Sequence, residues 1–194
     1  KNETLVEVDE IVETIADHKV WKDKIRFANT KTGIVPKSAL VQSLNLIFKD
    51  PNLQFLTQDE KEKLIIAVWE GISESYSEII NEDSNPKDWA LQKAIGVNIF
   101  HRLIPTLYAD TQRKNLKIGS QKNQQDLLDS KVWKEYFTHL KKNHSDINDT
   151  QKKVNGVDFW KSGKVGAAGK YSSGQGRNTL LETIKIILLE GSNE

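Results

Sequence analysis

Apolar residues recur along this chain at helical spacing, in blocks separated by polar, turn-forming stretches. Val8, Ile11, Val12 and Ile15 share one face of a first predicted helix, because residues three and four apart lie on the same side of a 3.6-residue turn. Val20, Trp21 and Ile25 follow after a break. Asn29-Thr30-Lys31-Thr32-Gly33 is turn chemistry between Ile25-Arg26-Phe27 and Ile34-Val35, so residues 26–35 read as a small β-hairpin or loop. Pro36 then stands where a first helical residue tolerates a missing N–H. Leu40, Val41, Leu44, Ile47 and Phe48 make the next stripe, which should end near Lys49-Asp50, ahead of Pro51.

Thr57-Gln58-Asp59-Glu60 is a capping box, in which hydroxyl and carboxylate each satisfy a backbone amide of the first turn. Leu64, Ile65, Val68, Trp69, Ile72, Tyr76, Ile79 and Ile80 predict a helix reaching Ile80, with Glu70, Glu74 and Glu78 on the solvated face. After a polar loop over 81–88, the stretch from Trp89 to Tyr108 is apolar nearly all round, the mark of a central buried helix. Pro105 should kink or shorten it, and Gly96 points to a close neighbour. Residues 110–130 read as a polar loop with one frayed turn. Ser130 is the expected cap of a helix carrying Val132, Trp133, Tyr136, Phe137 and Leu140. A last helix, from Arg177 to Glu190, turns Leu180, Leu181, Ile184, Ile187 and Leu188 inward. The expected fold is all-α: a single helical bundle of about five to seven helices over residues 1–194, with one small β-hairpin near residues 26–35.

Composition changes this picture in three ways. Charged residues make up 28% and hydrophobic ones 37%, enough of both for a solvated surface around one core. No apolar run approaches the roughly 18 residues of a membrane span, and no signal peptide opens the chain, so a cytoplasmic protein without membrane contact is expected. Cysteine is absent, and His139 and His144 are five apart rather than the four that would share a helix face; no metal site and no cofactor are expected. The chain opens on Lys1 and holds no Met, the pattern expected of a piece of a longer protein.

Net charge is +1 but unevenly spread. Residues 1–100 carry 12 Lys/Arg against 17 Asp/Glu, a net −5, and residues 101–194 carry 16 against 10, a net +6. A basic half can meet an anionic partner. The segment best placed to do so is the Gly/Ser/Lys loop over 161–176. It departs from a phosphate-binding Walker loop: five residues, not four, separate Gly163 from Gly169, and Tyr171 stands where a metal-binding hydroxyl belongs. What survives is a Gly/Ser run leading into a helix N-terminus, whose free N–H groups and dipole favour anions. Lys161, Lys164, Lys170, Tyr171, Ser172, Ser173 and Arg177 are the candidate nucleic-acid-binding residues: cations and hydroxyls for phosphates, and Tyr171 to stack on a base or sugar. The competing reading is a solvated loop capped by Ser173. Trp160 is the tryptophan nearest this loop and the one with a candidate role; the other four read as core or helix-end anchors. No catalytic residue is assigned, because no nucleophile, acid–base pair or metal set converges.

Three segments carry a family resemblance: Ile34-Val35-Pro36-Lys37-Ser38-Ala39-Leu40-Val41, Trp89-Ala90-Leu91-Gln92-Lys93-Ala94-Ile95-Gly96-Val97, and Gly169-Lys170-Tyr171-Ser172-Ser173-Gly174-Gln175-Gly176. In that order they resemble the C-terminal half of DGQHR-domain proteins, and more distantly the DndB-type regulators of DNA phosphorothioation, over most of residues 20–190. The DGQHR motif itself is nowhere in the chain. In the family it lies in an N-terminal region similar to the ParB/sulfiredoxin fold, which would precede Lys1. The resemblance implies a non-catalytic helical C-terminal domain of a prokaryotic or phage-like protein linked to DNA modification, defence or its regulation. Its implied partners are DNA and the N-terminal domain of the same protein. The rival expectation is a protein-interaction or oligomerisation scaffold that braces that N-terminal domain, with oligomeric state left open.

Overall fold

In a computed structural model, residues 3–117, 127–143, 156–163, 166 and 168–190 are described. They form seven helices and a two-stranded sheet, in the order α1 (Glu3–Ala16), β1 (Ile25–Arg26), β2 (Val35–Pro36), α2 (Lys37–Ile47), α3 (Gln58–Ser75), α4 (Ala94–Lys117), α5 (Ser130–Asn143), α6 (Gly156–Phe159) and α7 (Gly174–Glu190). The all-α bundle with a small β element is therefore present. The β element differs in direction: Ile25 pairs with Val35 and Arg26 with Pro36 in parallel, not as a hairpin. The intervening segment turns twice instead of once. Thr30 N–H bonds the Phe27 carbonyl, and Gly33 at φ 106 lies so close to Arg26 that an added Cβ would sit 2.6 Å from its backbone nitrogen.

The stripes bury as their spacing requires. Val8, Ile11, Val12 and Ile15 of α1, and Leu40, Leu44 and Ile47 of α2, lie in one core with Leu64, Ile65, Val68, Trp69 and Ile72 of α3. The capping box forms: Thr57 accepts from Glu60 N–H while the Glu60 carboxylate accepts from Thr57 N–H at 2.8 Å. Lys61 reaches from α3 across to Glu7 on α1 at 2.7 Å, with its ammonium 5.4 Å from the centre of the Phe48 ring. α3 lies against α5 so closely that a Cβ on Gly71 would meet Trp133 Cβ at 2.6 Å and the Lys134 backbone nitrogen at 2.7 Å. Phe100 on α4 is the hub, with ring centroids of Trp69, Tyr76, Phe137 and Trp160 between 5.1 and 6.5 Å away.

Several boundaries move for identifiable reasons. Pro36 is the N-cap of α2, in extended backbone, rather than its first helical residue. α2 ends at Ile47, with Phe48 closing it. α3 stops at Ser75 because Tyr76 leaves the helical region, yet Ile79 and Ile80 remain buried in the turn that follows. α4 starts later than expected, at Ala94, since Trp89 pairs in an antiparallel bridge with Lys161. It then continues through Pro105 to Lys117, so residues 110–117 are helix rather than loop. The polar side chains there find a partner on α5: Tyr136 donates to Asp110 at 2.8 Å, and Lys114 pairs with the same carboxylate at 2.7 Å. Burial works to raise the Asp110 pKa, but Lys114, Tyr136 and Arg113 together hold it below the usual range. Ser130 is the first residue of α5 and not its cap; Asp129 takes that role, accepting from Lys131 N–H at 2.9 Å.

Candidate nucleic-acid interface

The loop ahead of α7 is fixed to the core from both sides. Ala90 N–H donates to the Trp160 carbonyl and Ser162 N–H to the Asp88 carbonyl, each at 2.7 Å. Lys93 reaches the Ser162 hydroxyl at 2.8 Å. Trp160 is buried against Phe100 and Phe159, both at 5.1 Å. Its large apolar surface anchors the segment, and it offers no face to a ligand. Gly166 packs so tightly that a Cβ there would fall 1.8 Å from the Lys161 carbonyl oxygen. A 3-10 turn over Ala168–Tyr171 then buries Ala168 and Tyr171 on either side of two exposed residues.

The seven candidates separate into distinct groups. Tyr171 is only 4% exposed, with its ring 6.1 Å from Phe159. It cannot stack on a base; the aromatic surface that made it a candidate is spent on the core. Lys161 is partly buried and pairs with Asp158 at 2.6 Å. Lys164 lies outside the described residues. Lys170, Ser172 and Ser173 are exposed, and Arg177 is partly buried one turn into α7.

α7 begins at Gly174, three residues ahead of the expected Arg177. Ser173 caps it: its hydroxyl accepts from Gly176 N–H at 3.0 Å and its carbonyl from Arg177 N–H at 2.9 Å. The other amides of that first turn keep an anion-favouring direction. Arg102 of α4 adds a third cation to this end of the helix, donating to the Asn178 side chain at 2.9 Å. The result is an exposed ridge with Lys170, Ser172 and Ser173 at its crest and Arg177 and Arg102 behind. Some of the basic excess is turned elsewhere. Lys134 pairs with Glu74 at 3.0 Å and Lys141 with Glu78, so two cations of the basic half are spent on the acidic face of α3.

A polar constellation that spacing did not reveal lies in the core. His101 on α4 sits between Ser43 on α2 and Trp69 on α3. An indole N–H can only donate, so His101 Nε2 accepts from Trp69 at 2.9 Å and the ring proton resides on Nδ1. Nδ1–H then donates to Ser43 at 2.7 Å, and the Ser43 hydroxyl donates to the Leu40 carbonyl at 2.9 Å. Burial pushes the His101 pKa down to about 3. The pair resembles a nucleophile and its base, but the proton on Nδ1 points the wrong way for that chemistry, and both residues are sealed from solvent. It is a structural polar joint between three helices. Sequence carried one signal for it, a lone His in an apolar helix.

Among the described residues no group of three or more His, Asp or Glu side chains could hold a metal ion, and no helix is long and apolar enough to cross a membrane. No family model, curated protein or solved structure matches this chain.

Proposed function

We propose that this chain is a non-catalytic helical domain that engages DNA through the phosphate backbone, as an accessory domain of a DGQHR-type protein in DNA modification, defence or its regulation. The observation that carries the reading is the exposed crest of Lys170, Ser172 and Ser173 at the start of the 17-residue α7, backed by Arg177. Hydroxyls, backbone amides and cations at a helix start are the groups that hold phosphates without reading bases. The net +6 of residues 101–194 supports the same direction.

The test is a titration of duplex and single-stranded DNA at two or more salt concentrations, with the double variant Lys170→Ala/Arg177→Ala beside the parent. The parent should bind with a salt-dependent affinity, and the variant should lose roughly two units of the log–log salt slope, about one per phosphate contact. Binding that is unchanged in a folded double variant removes the ridge from the interface. No binding at low salt removes the DNA reading itself.

A second reading, a protein-interaction scaffold, draws on a different observation. Phe55 is 83% exposed and Leu46 57%, in a chain whose other large aromatic side chains are mostly buried. Sedimentation over a range of concentrations, with Phe55→Ser as the comparison, separates the two: self-association lost in the variant favours the scaffold.

A further inference from the structure

A cavity of about 530 Å³ opens between the turn after α1, the last turn of α3 and the loop over 80–86, lined by Lys19, Lys22, Asp23, Lys24, Ser73 and Glu82 among others. Its size falls within the roughly 300–1,000 Å³ of ordinary small-molecule sites. Asp23 adopts φ 61, a left-handed conformation uncommon outside glycine, and bends the chain so that three consecutive residues line one cavity. Val20 and Ile80, both buried, form apolar wall.

Lys24 is the informative residue. Every other partly or fully buried lysine among the described residues has a polar partner for its ammonium. Lys37 has Asp9 and Glu13, Lys61 has Glu7, and Lys114 has Asp110. Lys141 has Glu78, Lys161 has Asp158, Lys185 has Glu182, and Lys93 has Ser162 with a backbone carbonyl. Lys24 is partly buried and has no side-chain partner of its own. Partial burial without a counter-charge is unfavourable for an ammonium, and burial lowers its pKa accordingly. Ser73, partly buried on the same wall, has a hydroxyl that is likewise unengaged. The two carboxylates of the lining, Asp23 and Glu82, are exposed, and Lys19 is already paired with Glu70 at 3.2 Å.

We infer that this cavity binds a small molecule through an oxyanion, a phosphate monoester or a carboxylate, with Lys24 as its charge partner and Ser73 as a neutral donor. The anion supplies the counter-charge that Lys24 lacks, and Val20 and Ile80 take up an apolar remainder. Lys22, exposed in the lining, attracts the ligand without being desolvated. This site is separate from the α7 ridge and does not depend on DNA binding.

The experiment measures amine acylation of the full chain by mass spectrometry, at matched ionic strength, with inorganic phosphate, acetate or chloride present. Lys24 should be protected roughly fivefold at an anion concentration giving about 80% occupancy, while the exposed Lys31 and Lys49 label at unchanged rates. Protection by phosphate alone, by acetate alone or by both assigns the oxyanion. Thermal unfolding provides the second reading: the favoured anion should raise the midpoint of the parent and leave that of Lys24→Gln unmoved, with Ser73→Ala shifted less than the parent. Equal labelling of Lys24 under all three anions overturns the inference. So does protection shared equally with Lys31 and Lys49, which is diffuse screening.

Discussion

The buried His101 makes the stability of this domain sensitive to mild acid, and the size of the effect follows from its surroundings. The folded chain resists protonating His101 until about pH 3, because the ring is enclosed and Nε2 already accepts from Trp69. The unfolded chain takes up that proton near the ordinary histidine value of about 6.5. The folded pKa is therefore depressed, so the stability it represents is complete above pH 6.5 and is lost as pH falls toward 3. Each pH unit inside that window removes up to about 1.4 kcal/mol, or roughly 4–5 kcal/mol across the whole of it. Most of a small domain's net stability is of that order. Carboxylates with lowered values, Asp110 and Glu78, add their own losses only at more acidic pH. The stretch from pH 7 to pH 5 is thus the clean interval, in which His101 accounts for about 2 kcal/mol.

The assay is urea unfolding followed by tryptophan fluorescence at half-unit pH steps, for the parent and for His101→Gln. Glutamine keeps an acceptor for the Trp69 indole but does not titrate. The variant should be less stable at pH 7, by about 1–3 kcal/mol for the imperfect replacement of ring and hydrogen bonds. Its stability should then stay nearly flat to pH 5 while the parent's falls. Parallel profiles for the two proteins would refute the assignment of the acid sensitivity to this ring.

Three further outcomes rest on the packing. Gly71→Ala should cost about 1–3 kcal/mol by pushing α3 off α5, since the atoms its methyl group meets are backbone and Trp133 Cβ rather than a movable side-chain tip; thermal unfolding reads it. Glu7→Gln strands the 6% exposed Lys61 and should cost about 1–3 kcal/mol, discounted for the partial exposure of Glu7. The double change Glu7→Gln/Lys61→Met should recover much of that loss, and chemical denaturation of the parent, the singles Glu7→Gln and Lys61→Met, and the double variant closes the cycle. Tyr136→Phe removes the hydroxyl that donates to Asp110 and should cost about 1–2 kcal/mol, with the loss shrinking at acidic pH once Asp110 is protonated.

Legibility in the sequence tracked how local the deciding interaction is. The capping box at Thr57 and the stripes of α1 and α2 depend on neighbours within one or two turns, and spacing alone located them. The tail of α4 depends on Tyr136, 26 residues beyond Asp110, so its polar residues looked like loop. Tyr171 and Trp160 fail for the same reason. Their Gly, Ser and Lys neighbours imply solvent, whereas their burial is decided by Phe159 and Phe100. The Lys24 cavity was invisible because its walls come from three segments, and a lysine without a partner is defined only once all possible partners are placed.

Charge bookkeeping by sequence halves also overstates what the ridge can do. The +6 of residues 101–194 includes Lys134 and Lys141, which are committed to Glu74 and Glu78, in the other half of the chain. Within the basic half, Lys161 is held at Asp158 and Arg113 and Lys114 at Asp110, away from the ridge. The described cations gathered at the start of α7 are Lys170, Arg177 and Arg102. Three phosphate contacts correspond to a log–log salt slope of about −2.7 on duplex DNA. That is the slope of a weak, auxiliary binder rather than of a domain that holds DNA alone. A measured slope steeper than about −5 would therefore require cations beyond this ridge, and would place the main DNA surface elsewhere on the chain even though DNA binding itself had been found.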